Sequence, residues 1–438
     1  MNFIKKYRSL NKKLFDNSIA FFSVFFSQVG IQIIFPPLMI AAWGVEYFGI
    51  IIYLIAIPAA LSFLIMNFQT SSRQEMAKAH LKNNLKKANK IYSNTIVLTF
   101  TGYVIFIIGS LIFFNISSFD KLSNYQNKES INLILLLIFF SFLLGFFQNI
   151  LSLKISYMGV YHISKYIDLI SDILIKLTMI IAGFFNKSLI ELFTIYLILS
   201  FLKTFSFYYF NLKIRKISFN IKQIEIYYIK NIFYKSIPYY FVQLEEIFKT
   251  SFLIIIIGTF FDFKIVALVS TIRTLFYFFP RKFFELIVEV LQFEYVKLFV
   301  QKKYQKLRKL YMSQNVIILV LSLIFIILSH LVGLKIYDIW TKNVFQYENK
   351  IFYFLIFDCF FFLMTSSFIS FLKSINKFFS ISIYLFFSQL ILIMMIYLAY
   401  NNNYNYDVFF VYSFSMSFLV FCIAIFYFRK SLNYMKRK

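Results

Sequence analysis

A chain of 438 residues that is 60% hydrophobic and 22% aromatic falls outside the ordinary soluble globular class, because so much apolar surface needs lipid to cover it. Its formal net charge of +26 raises nucleic acid and anionic lipid as partners, but Phe, Ile, Lys, Asn and Tyr are all abundant and share AT-rich codons, so the location of the charges carries more than their sum. Cys359 and Cys422, both in apolar stretches, are too few for a disulfide framework or a metal cluster.

Apolar runs near twenty residues recur along the chain. Backbone polar groups in lipid must be satisfied within each run, so each is predicted to be a spanning helix. Twelve spans are predicted, at 18–41, 47–68, 91–114, 131–152, 167–185, 189–210, 236–258, 265–290, 311–334, 351–372, 378–399 and 408–428, and the expected fold class is all-α integral membrane. The first run, Ser18 to Ile40, lacks a small-residue cleavage pattern and is expected to be retained. The longest outer loops, Asn115 to Ser130 and Lys335 to Lys350, are too short for a folded extramembrane domain.

Span 1 carries Gln28 and Gln32 four apart, followed by Pro36 and Pro37. Such an amide stripe can bind hydroxyl-rich ligands or bridge two helices. Span 2 carries Pro58 and ends on Asn67 and Gln69, expected at the interface. Span 5 places Asp168, Asp172 and Lys176 at successive i+4 positions. Asp172 there either pairs with Lys176 or serves as a proton or cation site. Lys203 and Asp358 are further intramembrane charges without an evident partner, and His80, His162 and His330 have no metal-ligand spacing.

Spans 7 and 8 are the most heavily charged. They hold Glu245, Glu246, Lys249, Arg273, Arg281, Lys282, Glu285 and Glu289, with Pro238 and Pro280. A charge at the centre of a membrane helix costs about 2.5–3.5 kcal/mol on insertion scales, so these residues need partners or water. Lys249 and Arg273 are predicted at similar depth, with Arg281 further inward past Pro280. Glu245 or Glu246 can pair with either Lys249 or Arg273. The cluster is either a basic aqueous cavity for an anionic substrate or an ion-pair network that holds the bundle. Lys282, Glu285 and Glu289 sit near the membrane edge and are expected to snorkel.

With both termini inside, the inner segments hold 32 of the 45 Lys and Arg residues and the outer loops hold 7. That asymmetry is the positive-inside pattern, and codon bias cannot produce it. An internal repeat is visible too: Glu75, Lys78, Lys87, Lys90 and Tyr92 recur as Glu294, Lys297, Lys306, Lys309 and Tyr311, each offset by 219 residues. All five prolines fall in spans 1, 2, 7 and 8, the first two of each half. Two parallel six-helix halves are therefore expected, residues 1–222 and 223–438, with Pro36, Pro37, Pro58 and Pro280 as helix kinks. No phosphate-binding loop, dinucleotide fingerprint or nucleophile elbow occurs, so no catalytic residue, cofactor or metal is assigned.

With the Trp43-to-Gly49 turn, the Glu75-to-Lys90 basic loop and the segment Ile336-Tyr337-Asp338-Ile339-Trp340-Thr341, the chain resembles bacterial polysaccharide flippases of the Wzx type. These belong to the multidrug/oligosaccharidyl-lipid/polysaccharide exporter superfamily, and the resemblance covers nearly the whole chain. It implies two lobes around a central cavity lined largely by spans 1, 2, 7 and 8, alternating access, and a substrate of undecaprenyl pyrophosphate carrying a short oligosaccharide for O-antigen or capsule. Under it Lys249, Arg273 and Arg281 attract pyrophosphate or acidic sugars, Gln28 and Gln32 contact sugar hydroxyls, and Glu245, Glu246 and Asp172 are ion-coupling or ion-pair candidates. One departure is that the cations of those four spans all lie in the C-terminal half. Membrane lipids, a polysaccharide polymerase and chain-length machinery are expected partners, nucleic acid is not, and the expected location is the bacterial cytoplasmic membrane. A multidrug exporter of the same fold is the close alternative, although a cavity for cationic drugs favours acidic linings. A membrane polysaccharide polymerase is disfavoured by the short outer loops.

Overall fold

The structure, a computed structural model, describes residues 2–81, 84–116, 120–157, 161–213, 217–284, 291, 295, 298–299, 301–345, 349–374, 378–402 and 408–436. Glu285, Glu289, Glu294 and Lys297, and the side chains of Lys78, His80 and His162, lie outside the described residues. All regular structure among the described residues is helical, the form that satisfies its own backbone in lipid.

Among the described residues, nine helical stretches are long and apolar enough to cross a membrane. The first, Ser23–Leu64, makes two passes, because the backbone leaves the helical region at Gly44 with φ 79° and ψ 167°. That break falls inside the predicted outer turn. Glycine reaches positive φ without steric cost, which is why the chain turns there. Dihedrals stay helical through Pro36, Pro37 and Pro58. Two further helices have spanning length but carry charge: Tyr161–Phe184, and Ile226–Ile247 with its continuation through Phe248–Phe252 to Phe260. Together these account for the twelve predicted crossings.

The basic turn after span 2 is a helix, Phe68–Leu81. Asn67 caps it, its Oδ1 accepting from the Thr70 amide at 3.3 Å. Gln69, expected at the interface, is buried and reaches Thr99. The reason is that this short helix lies against its neighbours with its polar side. Ser72 meets Thr95 at 2.6 Å, Gln74 donates to Tyr239 at 2.9 Å, and Glu75 pairs with Lys235 at 3.1 Å.

Contacts divide the chain into two compact units, Met1–Gln243 and Leu244–Lys438. Their packing repeats: span 4 lies along span 6 in the first, and span 10 lies along span 12 in the second. In lipid such pairs are held by close packing and interhelical hydrogen bonds worth about 0.6–2 kcal/mol each. Between spans 4 and 6 these come from Gln148 to Thr204 at 2.9 Å and from Asn211 to the Leu151 carbonyl at 3.1 Å.

Span 1 packs along span 5 through one tight contact. Trp43 Nε1 donates to the Met179 carbonyl at 2.9 Å, and a Cβ on Gly183 would lie 2.3 Å from Trp43 Nε1 and 2.8 Å from the Ala42 Cβ. Gly183→Ala is therefore expected to destabilise by about 1–3 kcal/mol, the usual cost of overpacking. A melting curve of the detergent-solubilised protein reads this directly; a midpoint equal to that of the parent would remove the contact from the account.

Candidate functional site

Lys249 lies in a π turn, Phe248–Phe252, within span 7. A second π turn, Thr274–Phe278, interrupts span 8 just before Pro280. Such bulges widen a helix and redirect its carbonyls. Arg273 uses this opening: its Nη2 donates to the Lys249 carbonyl at 2.7 Å, which ties the two widened stretches together. Its guanidinium lies 5.6 Å from the rings of Tyr277 and Phe278.

The Lys249 ammonium is buried and bonded to Asp358 Oδ1 and Ser417 Oγ, both at 3.0 Å. Asp358 on span 10 accepts in addition from Ser413 at 3.0 Å and from Ser417, both on span 12. Lys249 also sits 5.1 Å from the Tyr277 ring centre. Arg281 donates to Glu246 Oε1 at 2.8 Å and lies over Phe362 at 4.8 Å. Glu245 is 7% exposed and has no hydrogen-bond partner among the described residues.

The expected pairing is thus partly redrawn. Asp358 has a partner, and it is Lys249; Glu246 pairs with Arg281 rather than with Lys249 or Arg273. Three cations, Lys249, Arg273 and Arg281, stand among three carboxylates, Glu245, Glu246 and Asp358. The cluster is balanced, not simply basic. Arg273 is the cation within it that has no carboxylate partner among the described residues.

The first unit holds a second polar site. Lys203 on span 6 bridges Asp168 at 3.0 Å and Asp172 at 3.3 Å. Lys176, expected to pair with Asp172 on its own helix, instead donates to Gln32 Oε1 at 2.9 Å. An interhelical lysine arrives from the opposite side and reaches both carboxylates, which an intrahelical one cannot do. Gln28 is half-buried with no hydrogen-bond partner among the described residues. Beside the Lys203 bridge opens a cavity of about 520 Å³, lined by polar residues of the Phe68–Leu81 helix and of spans 4, 5 and 6.

Sequence reading did not single out Ser413, Ser417, Tyr277, Gln148 or Gly145. Their one available signal was the Ser413–Ser417 spacing of four, which puts two hydroxyls on one helix face. Among the described residues no His, Cys, Asp or Glu group forms a metal-binding cluster.

No protein-family model matches the chain, and no curated protein does. Solved structures do. A multidrug resistance MATE family transporter of the MOP superfamily in its inward-facing conformation aligns with a TM-score of 0.66 at 13% identity, over 95% of this chain and 96% of that one. An outward-facing MATE transporter aligns with 0.64 at 12% identity, over 98% and 97%. A MOP superfamily transporter from Pyrococcus furiosus aligns with 0.62 at 11% identity, over 98% and 97%. Over nearly its full length, the chain has the fold of MATE family transporters of the MOP superfamily.

Proposed function

We propose that this chain is a flippase that carries undecaprenyl-pyrophosphate-linked oligosaccharide from the cytoplasmic to the outer leaflet by alternating access. It works in the bacterial cytoplasmic membrane with both termini inside and hands its cargo to a polysaccharide polymerase and its chain-length machinery. The observation that carries the reading is Arg273, a guanidinium 3% exposed at mid-span with no carboxylate partner among the described residues. A planar fork of donors matches phosphate oxygens bidentately, and one hydrogen bond to a carbonyl leaves most of those donors to a ligand. Lys249 and Arg281 hold the surrounding charge in place through Asp358 and Glu246.

Multidrug export is the second reading, favoured by the structural neighbours. For the P. furiosus neighbour, reversed polarity of the binding pocket is taken to suggest a different function. Within the balanced cluster here, Arg273 is the group an anionic cargo would use and Glu245 the one a lipophilic cation would use, so transport itself separates the two readings. Cells lacking the chain are expected to lose surface polysaccharide and accumulate its lipid-linked precursor, with drug susceptibility unchanged. Intact surface glycan together with new drug sensitivity would reverse the assignment.

A further inference from the structure

We propose that the cavity beside the Lys203 bridge is a sugar-binding subsite that receives the glycan part of the substrate; this rests on the flippase reading above. The cavity lies in the first unit, at the end that carries the basic helix Phe68–Leu81, with Asn67, Gln69 and Arg73 on its wall. The Lys and Arg bias assigns that end to the cytoplasm, where lipid-linked glycan is loaded.

Its size points to a ligand of several rings' bulk. At about 520 Å³ it falls within the range of ligand pockets. A cation held by oxygens at about 2.3–2.6 Å would leave nearly all of it empty. Its chemistry points to hydroxyl groups. Asp168 and Asp172 only accept hydrogen bonds, and their side chains remain 37% and 42% exposed despite the Lys203 bridge. With Arg73, Lys165 and Lys203 on the same wall, carboxylates and cations stand together around the cavity, so it offers strong acceptors and strong donors side by side. Gln148, Asn149 and Ser164 add groups that both donate and accept, and Tyr196 and Phe146 add aromatic faces.

A pyranose satisfies this set. Its hydroxyls donate to the carboxylates and accept from the Asn149 amide, the Gln148 N–H groups being held by Ser200 and Thr204, while its C–H face lies on a ring. A lipophilic drug would desolvate this polar wall and return no hydrogen bond to it. Arg73 and Lys165 line the same wall, so the cavity is not acidic overall; the match of ring hydroxyls and C–H face to its polar and aromatic groups, not charge, assigns the glycan end of the molecule to it.

Gly145 supplies a direct test, since it lines the cavity and a Cβ there meets nothing within 4 Å. Replacing a helical glycine does not harm the helix, so Gly145→Ala, Gly145→Leu and Gly145→Phe fill the cavity stepwise without breaking the fold. Surface glycan at matched abundance is expected to fall in that order. In membranes, Asn149→Cys combined with Cys422→Ser is expected to react with a hydrophilic maleimide. Lipid-linked oligosaccharide extracted from cells lacking the chain, at ten times its half-saturating concentration, should slow that reaction about tenfold. Undecaprenyl pyrophosphate alone should not slow it. No labelling, equal protection by undecaprenyl pyrophosphate, or full surface glycan with Gly145→Phe would each overturn the subsite. If surface glycan depends on the chain while the thiol is unprotected, the subsite alone falls. If surface glycan does not depend on the chain, the flippase reading falls with it.

Discussion

Asp358→Ala is expected to cost about 3–5 kcal/mol and to lower the yield of folded protein sharply, because it strands a buried ammonium. Lys249 is held by Asp358 and Ser417 at 3.0 Å each, and Asp358 in turn is held by Ser413 and Ser417. Removing the carboxylate leaves Lys249 with one neutral hydroxyl and the rings of Tyr277 and Phe362. Neither offsets the loss of an ion partner for an ammonium this deeply buried. Removing both charges differs in kind. A Lys249→Met/Asp358→Leu double variant fills similar volume with no ion to desolvate, and should recover most of the lost stability. Heating detergent-solubilised samples and counting the surviving monodisperse fraction compares the three. A single variant as stable as the parent would mean that the pair is not closed as described.

Arg273→Ala should fall hardest on transport. If Arg273 supplies charge-assisted hydrogen bonds to a pyrophosphate, each worth about 1.5–3 kcal/mol, their loss lowers glycan export roughly 10- to 100-fold. Arg273→Lys keeps the charge but loses the fork, so it should fall between. The structural cost has its own signature. Arg273 also ties the two π turns together through the Lys249 carbonyl at 2.7 Å, so part of any defect is loss of stability. Measuring melting and export on the same preparations separates the two. Export restored in Arg273→Ala by raising its abundance would assign the residue to scaffolding.

The spans were legible because lipid imposes one rule on every helix, and the turn at Gly44 was legible because the apolar runs on either side were each long enough to cross. That Lys249 and Arg273 lie at one level followed from counting along those runs. Their partners did not. Lys249 and Asp358 are 109 residues apart, and Lys203 reaches across from span 6 to Asp168 and Asp172 on span 5. Helical spacing reports only neighbours on one helix, so it favoured Lys176 for Asp172; packing gave Lys176 to Gln32 instead. The π turns left no mark because Phe248–Phe252 contains neither Pro nor Gly. Proline at 280 did mark the neighbourhood of the second π turn. The cavity in the first unit is assembled from four separate segments, none of them unusual alone.

Reconstitution tests the proposed activity most directly. Proteoliposomes carrying the purified chain and lipid-linked oligosaccharide in both leaflets are treated with a glycosidase confined to the outside. A flippase brings the inner-leaflet pool within reach, so nearly all of the glycan should be digested, and Arg273→Ala vesicles should lag. Digestion that stops at the outer-leaflet half, as in protein-free vesicles, would contradict the account.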